Sequence, residues 1–239
     1  MRSIIKAALV ISLIFLAPYV HAEGITIYGL DIPGLHQKDG QGVYDLVLKK
    51  VSEQGVDTKL FVLPVNRAEK LLKACKSCCL TPANKSTDFY DYGDEYITTD
   101  SMFTAKIFAW TLPDTPPISS LDELKGKRVG GRLGMPYGQT IENSSIKIVL
   151  VPTIEANMKK LKHNRLDAFI AYTPDAFTSF ENMKEEVYSH AADKPLAVHH
   201  DQIVCKKSVA TEDFVKNFNS TLSVMRTDGV LEKIVGVQN

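Results

Sequence analysis

The strongest constraint on this chain is an alternation of strand-like and helix-like hydrophobic patterns that runs once, breaks at a long extended segment, and starts over. Ile25, Ile27 and Leu30 alternate as in a strand that stops at Asp31-Ile32-Pro33-Gly34. Val43, Leu46, Val47 and Val51 then recur at helical spacing up to Gly55, where a C-terminal glycine belongs. Residues 59–65 read as a second strand, Asn66 as the cap of a helix reaching Lys73, and residues 78–80 as a short third strand. Strands separated by helices call for right-handed crossovers around a mostly parallel sheet.

A long extended run over 103–112 ends at the prolines of 113–117, and the pattern then resumes. Helices are expected over 120–125, to about Asn143, and over 153–164; strands over 128–131, 147–151 and 167–172. A second extended run, 196–206, leads into helices over 211–225 and 229–235. The expected fold class is α/β with two lobes, each a mostly parallel sheet flanked by helices. Two hinge crossovers join them: 23–105 and 199–239 build lobe 1, and 106–198 build lobe 2.

Arg2 and Lys6 precede an apolar run over 7–17, and Val20-His21-Ala22 supplies the small-x-small pattern of a signal peptidase site. Residues 1–22 therefore read as a signal peptide, with a mature start at Glu23 and a periplasmic location. The apolar run is shorter than the roughly 18 to 20 residues that a spanning helix needs. The whole chain carries 28 basic and 28 acidic side chains. Loss of Arg2 and Lys6 leaves it slightly acidic, which gives no reason to expect nucleic acid or an anionic membrane as partner.

In an exported chain, Cys75, Cys78, Cys79 and Cys205 point to disulfide bonding ahead of free thiols or metal chemistry, with all three double pairings open. Cys78-Cys79 is not followed by His, so haem attachment is not indicated. His199 and His200 are neighbours on an extended run and point to opposite faces, so they do not share one ligand. No Gly-x-Ser-x-Gly elbow, Walker loop or His-Glu-x-x-His occurs. The reading is of a protein that is not an enzyme and calls for no cofactor and no metal.

Five segments, in order, carry a resemblance. They are Gly42-Val43-Tyr44-Asp45-Leu46; Leu63-Pro64-Val65-Asn66-Arg67-Ala68 with Leu71-Leu72; Leu121-Asp122-Glu123-Leu124-Lys125-Gly126-Lys127-Arg128-Val129-Gly130; Asn164-Arg165-Leu166-Asp167-Ala168; and 214–234 with Asn219 and Asp228-Gly229. Together they resemble the type II periplasmic solute-binding proteins of family 3, which serve polar amino acid ABC transporters and related sensors. The resemblance implies the two-lobe periplasmic-binding-protein type II fold, and a monomer that captures a small polar solute, with an anion admitted, for an inner-membrane ABC permease. Its alternatives are a sensor reporting to a membrane kinase and a dehydratase-like enzyme on the same fold. The family's amino-acid binders carry Arg in a Thr-x-x-Arg setting after the third strand, where this chain has Thr81-Pro82-Ala83-Asn84. They also carry an Asp at the end of the lobe 2 strand, where Tyr172-Thr173-Pro174 stands with Asp175 just beyond. Amino-acid specificity is therefore not carried across.

In doubly wound sheets ligands sit beyond the carboxyl ends of strands, near helix N-termini. That geometry selects Asp31, Asn66, Arg67, Asn84, Arg132, Tyr137, Tyr172 and Asp175, with Met135 as a lesser contact. Arg132 can fork onto a carboxylate or phosphate, and an ordinary surface arginine fits the position equally. Arg67 opens a helix where its charge opposes the dipole, and an ion pair with Asp45 or Asp31 is the plain alternative. Trp110, the only Trp, is set beside the tyrosines as part of an aromatic wall, with lobe packing as the competing explanation.

Overall fold

The computed structural model describes residues 24–236, and the signal-peptide reading of residues 1–22 lies outside the described residues. In lobe 1, β1 (Ile25–Leu30) pairs in parallel with β2 (Thr58–Leu63) and with β3 (Cys78–Ala83). The crossovers are α1 (Val43–Ser52) and α2 (Val65–Ala74). Gly42 starts α1 with its N–H on Asp45 Oδ2 at 2.9 Å, and a Cβ there would stand 2.3 Å from the Leu35 carbonyl oxygen. The sheet face of α1 buries Val43, Tyr44, Val47, Leu48 and Val51.

Two details of lobe 1 differ from expectation. Pro64, not Asn66, precedes the first helical residue of α2, because its fixed φ suits entry into a helix whose first N–H groups have no intrahelical partner. Strand β3 runs through Thr81-Pro82 to Ala83 rather than stopping at Leu80. Its pairing with the antiparallel neighbour is irregular between Leu80 and Ala83, so the missing N–H of Pro82 falls where the ladder is already broken.

In lobe 2, β6 (Val129–Arg132) runs parallel to β7 (Ile148–Val151) and to β8 (Ala168–Tyr172). Around them lie α3 (Gln139–Glu142), α4 (Ile154–Lys162) and α5 (Thr173–Met183). Thr153 caps α4, its Oγ1 accepting from Ala156 N at 3.1 Å. The helix expected over 120–125 is a single 3-10 turn, Asp122–Leu124, cut short by Gly126 at φ +74°. Helix α5 has no counterpart in the sequence reading, where Thr173-Pro174 marked a break. Proline is tolerated in a helix's first turn, and Pro174 stands there.

Strands β5 (Phe103–Trp110) and β9 (Ala197–Lys206) join the lobes and pair antiparallel with each other. The first half of β9 pairs with β5, from Ala197 to Asp201. Its second half pairs with β3 and with the short β4 (Tyr96–Thr98). The result is one nine-stranded sheet, ordered β2-β1-β3-β9-β5-β8-β6-β7, with β4 alongside β9. Helices α6 (Val209–Thr227) and α7 (Val230–Val235) return to lobe 1, where Phe214, Phe218, Leu222 and Leu231 complete its core.

Side-chain alternation on β5 and β8 gives lobe 2 a core on each face of its sheet. Ala105, Ile107, Ile170 and Tyr172 face one cluster, and Phe108, Trp110, Phe169 and Ala171 face the other. Two disulfides form, Cys75–Cys78 and Cys79–Cys205, the second joining residues directly paired between β3 and β9.

Candidate functional site

Where the carboxyl ends of the lobe 1 strands face lobe 2 lies a cavity of about 20 Å³. Leu30, Leu35 and Pro82 wall it from lobe 1, and Met135, Pro136 and Pro174 from lobe 2, with Ala105 on the connecting strand. Its polar lining is Tyr90, Tyr172, Asp175, His199 and Asp201. A space of this size holds about one water molecule, so the lobes are shut here more tightly than any organic solute allows.

Strand alternation on β9 sets the floor. His199 and Asp201 lie two residues apart on one face and are 3% and 2% exposed, while His200 points outward. His199 Nδ1 meets Asp201 Oδ1 at 2.5 Å, and the Tyr44 hydroxyl of α1 donates to Asp201 Oδ2. In the neutral ring, Nδ1 carries the hydrogen that meets Asp201, and Nε2 is then an acceptor. That Nε2 is buried and has no hydrogen-bond partner. Burial, reinforced by Asp201, pushes the Tyr44 hydroxyl well above the usual phenol range, which keeps it a donor. The rings of Phe89, Tyr90 and Tyr172 stand edge-on to His199, with centroids 4.8, 5.8 and 5.9 Å away.

Asp175 sits in the first turn of α5, is 2% exposed, and has an Oδ1 with no hydrogen-bond partner. Burial pushes its carboxyl up to about 7, with Asp201 and Glu155 adding to the rise and Arg132 opposing it. Arg132 itself lines an adjoining groove with Asp31 and Asn66 rather than the cavity. Its Nη2 donates across the cleft to the Asp31 carbonyl oxygen at 2.8 Å, and its Nη1 is buried without a partner.

Of the residues picked from the sequence, Tyr172 and Asp175 line the cavity. Asp31, Asn66 and Arg132 line the adjoining groove, and Asn66 also borders a second opening with Tyr90 and Met135. Tyr137 stacks on Tyr172 at 6.2 Å and accepts from Arg132 N at 2.6 Å, so it supports the wall from behind. Three residues stand apart. Arg67 is exposed on α2, and Asp45, one of its suggested partners, is taken up by His36 at 2.6 Å. Asn84 spends its side chain on the His200 carbonyl and the Ser86 N–H. Trp110 is fully buried in the lobe 2 cluster on the sheet face away from Tyr172, its indole N–H donating to the Ala171 carbonyl at 3.0 Å, so it is core and not a cleft wall. Sequence reasoning missed Tyr90, His199 and Asp201 as lining residues. The signal that finds the last two is the period of two on β9, which excludes a His199/His200 pair and equally implies a His199/Asp201 pair.

No protein-family model matches the chain. A curated relative, "Probable amino-acid-binding protein YxeM" of Bacillus subtilis (strain 168), is 24% identical over 225 residues, covering 91% of this chain and 78% of the relative. Among solved structures, the amino acid ABC transporter substrate-binding protein AbpA of Streptococcus pneumoniae, bound to L-arginine, superposes with a TM-score of 0.67 at 17% identity, over 90% of this chain and 94% of that one. A histidine kinase sensor domain with similarity to periplasmic binding proteins superposes with a TM-score of 0.70 at 17% identity, over 90% and 95%. With the two lobes and the two joining strands in place, the chain has the type II periplasmic-binding-protein fold that these solved structures share.

Proposed function

We propose that this protein is a periplasmic, monomeric solute-binding protein that closes its two lobes around a small polar molecule and presents it to an inner-membrane ABC permease. One observation carries the reading: a cavity between the lobes, lined from both, holds buried polar atoms on His199 and Asp175 with no partner of their own. Buried polar groups are nearly always satisfied, and leaving one unpaired costs about 1–3 kcal/mol, so their natural partner is a ligand. Relatives and structural neighbours named for amino-acid and ABC-transport binding support the same role. The sensor-domain neighbour supports a kinase as partner in place of the permease.

A metabolite screen by thermal unfolding, followed by solution scattering on each hit, tests it. A true solute at a hundred times its dissociation constant adds about 2.7 kcal/mol of stability. It is also expected to shrink the radius of gyration of the open ligand-free form, because contacts from both lobes exist only when the cleft is shut. Tight binding without compaction would sink the clamp. The His199–Asp201 pair also has the geometry of an oriented general base, which is the observation that bears on the enzymatic alternative; turnover of a bound solute would establish it.

A further inference from the structure

The buried polar atoms of the cavity that lack a partner are acceptors. Asp175 offers an unpartnered carboxylate oxygen, and His199, its Nδ1–H held by Asp201, offers an unpartnered ring nitrogen. Two of the nearby donors are committed, the Tyr172 hydroxyl to the Pro136 carbonyl and the Tyr44 hydroxyl behind the floor to Asp201, which leaves the Tyr90 hydroxyl as the donor of the lining. No Lys or Arg is among the lining residues. Arg132 lines the adjoining groove and not the cavity, with Nη2 on the Asp31 carbonyl and Nη1 without a partner, and its charge favours the ionised form of Asp175.

We infer that the solute is an organic ammonium that carries no carboxylate, with its N–H groups donating to Asp175 Oδ1 and His199 Nε2. This rests on the solute-binding reading above and names the ligand class for that same cavity. A cation with several N–H donors matches acceptors of both kinds, and charge-assisted hydrogen bonds are the strong ones. Tyr90 and Tyr172 line the same space, and aromatic rings attract a cation through their quadrupoles. A carboxylate placed there meets two buried acids, Asp175 and Asp201, and leaves its oxygens without lining cations, which is selection by repulsion as much as by attraction. The apolar walls from Leu30, Leu35, Met135 and the three prolines suit an aliphatic or aromatic body behind the ammonium.

The test is calorimetric titration of the full secreted chain at pH 8 with pairs of probes that differ by one carboxylate: agmatine and arginine, cadaverine and lysine, 2-phenylethylamine and phenylalanine. At least one amine is expected to bind ten times or more tighter than its carboxylated partner, and Asp175→Asn and His199→Phe each to weaken that amine at least tenfold. Thermal unfolding of both variants checks that they are folded, and the wild-type pairs decide the sign of selection without any variant. Amino acids that match or exceed their amines, amines that fail to bind at millimolar concentration, or unchanged amine affinity in folded Asp175→Asn each overturn the proposal. An amino acid that binds with compaction overturns the ligand class and leaves the solute-binding reading standing. An amine that binds without compaction does the reverse.

Discussion

Asp175 is where stability and function oppose each other most directly. Its carboxyl is pushed up to about 7 by burial, against a usual value near 4. The groups that face it are Arg132, which holds the value down, and Asp201, Glu155 and the phenols of Tyr137 and Tyr172. Between pH 4 and 7 the folded protein holds a proton that the unfolded chain has lost, so ligand-free stability is full below about pH 4 and falls as pH rises through about 7. A shift of this size corresponds to about 4 kcal/mol over the window. Asp175→Asn is expected to flatten most of that slope and to make the ligand-free protein more stable at pH 8 while weakening the solute, the usual exchange at a strained site. Urea unfolding at pH 5 and pH 8 measures it, and the same slope in wild type and variant would refute it. At this scale the sequence was half legible. Asp175 and Tyr172 follow from their place after a strand, and Arg67 and Trp110 were misplaced because chain position does not reveal which face of an element meets the cleft.

At the scale of elements, β9 does the most, because among the described residues it is the strand that pairs with lobe 1 strands and with β5 in turn. Its partner changes near Asp201 and Gln202, so the residues of the cavity floor sit where lobe 1 pairing takes over from β5. Cys205 and Cys79 then tie the lobe 1 half of β9 to β3 across 126 residues of chain. Closing a loop of that order restricts the unfolded chain, and losing such a bridge from a secreted domain costs about 2–5 kcal/mol. The Cys79→Ala/Cys205→Ala double variant is therefore expected to unfold at markedly lower denaturant than wild type, and the Cys75→Ala/Cys78→Ala pair, which closes a far shorter loop, to lose less. Equal losses in the two, measured by guanidinium unfolding, would contradict the assignment. Both crossovers and the parallel order of each lobe could be read from hydrophobic period alone. The disulfide pairing could not, since it depends on which strands become neighbours. Helix α5 was hidden for a local reason, a proline in its first turn that resembles a break until the helix after it is seen to pack Ala176 and Phe180 against Trp110.

For the whole molecule, what matters is the balance between open and closed lobes, and two polar latches span the cleft. One is Arg132 on the Asp31 carbonyl. The other joins the loop after β3 to the start of α3: Gln139 N donates to the Asp88 carbonyl at 2.7 Å, Thr140 N to Asp88 Oδ1 at 3.3 Å, and the Gln139 side chain to the Thr87 carbonyl at 2.9 Å. Gly138, at φ +88°, permits the approach, since a Cβ there would lie 2.6 Å from Asp88 Oδ2. Half-exposed hydrogen bonds contribute about 0.5–1.5 kcal/mol each, so the Asp88 side chain biases closure by roughly 2- to 12-fold. Closure without solute shuts the cavity down to the room of one water, so a closed population must reopen before anything enters, and apparent affinity falls with the fraction that is not competent. Asp88→Ala is therefore expected to enlarge the ligand-free radius of gyration and to speed solute association, with the denaturation midpoint of the lobes nearly unchanged because Asp88 itself belongs to neither core. Gly138→Ala is expected to act in the same direction and more strongly, since it disrupts the backbone approach as well as the side-chain contact. Stopped-flow association and solution scattering on the two variants decide it: a ligand-free scattering profile identical to wild type in both would show that the lobes are held together by apolar packing of Met135 and Phe89, and not by the latch.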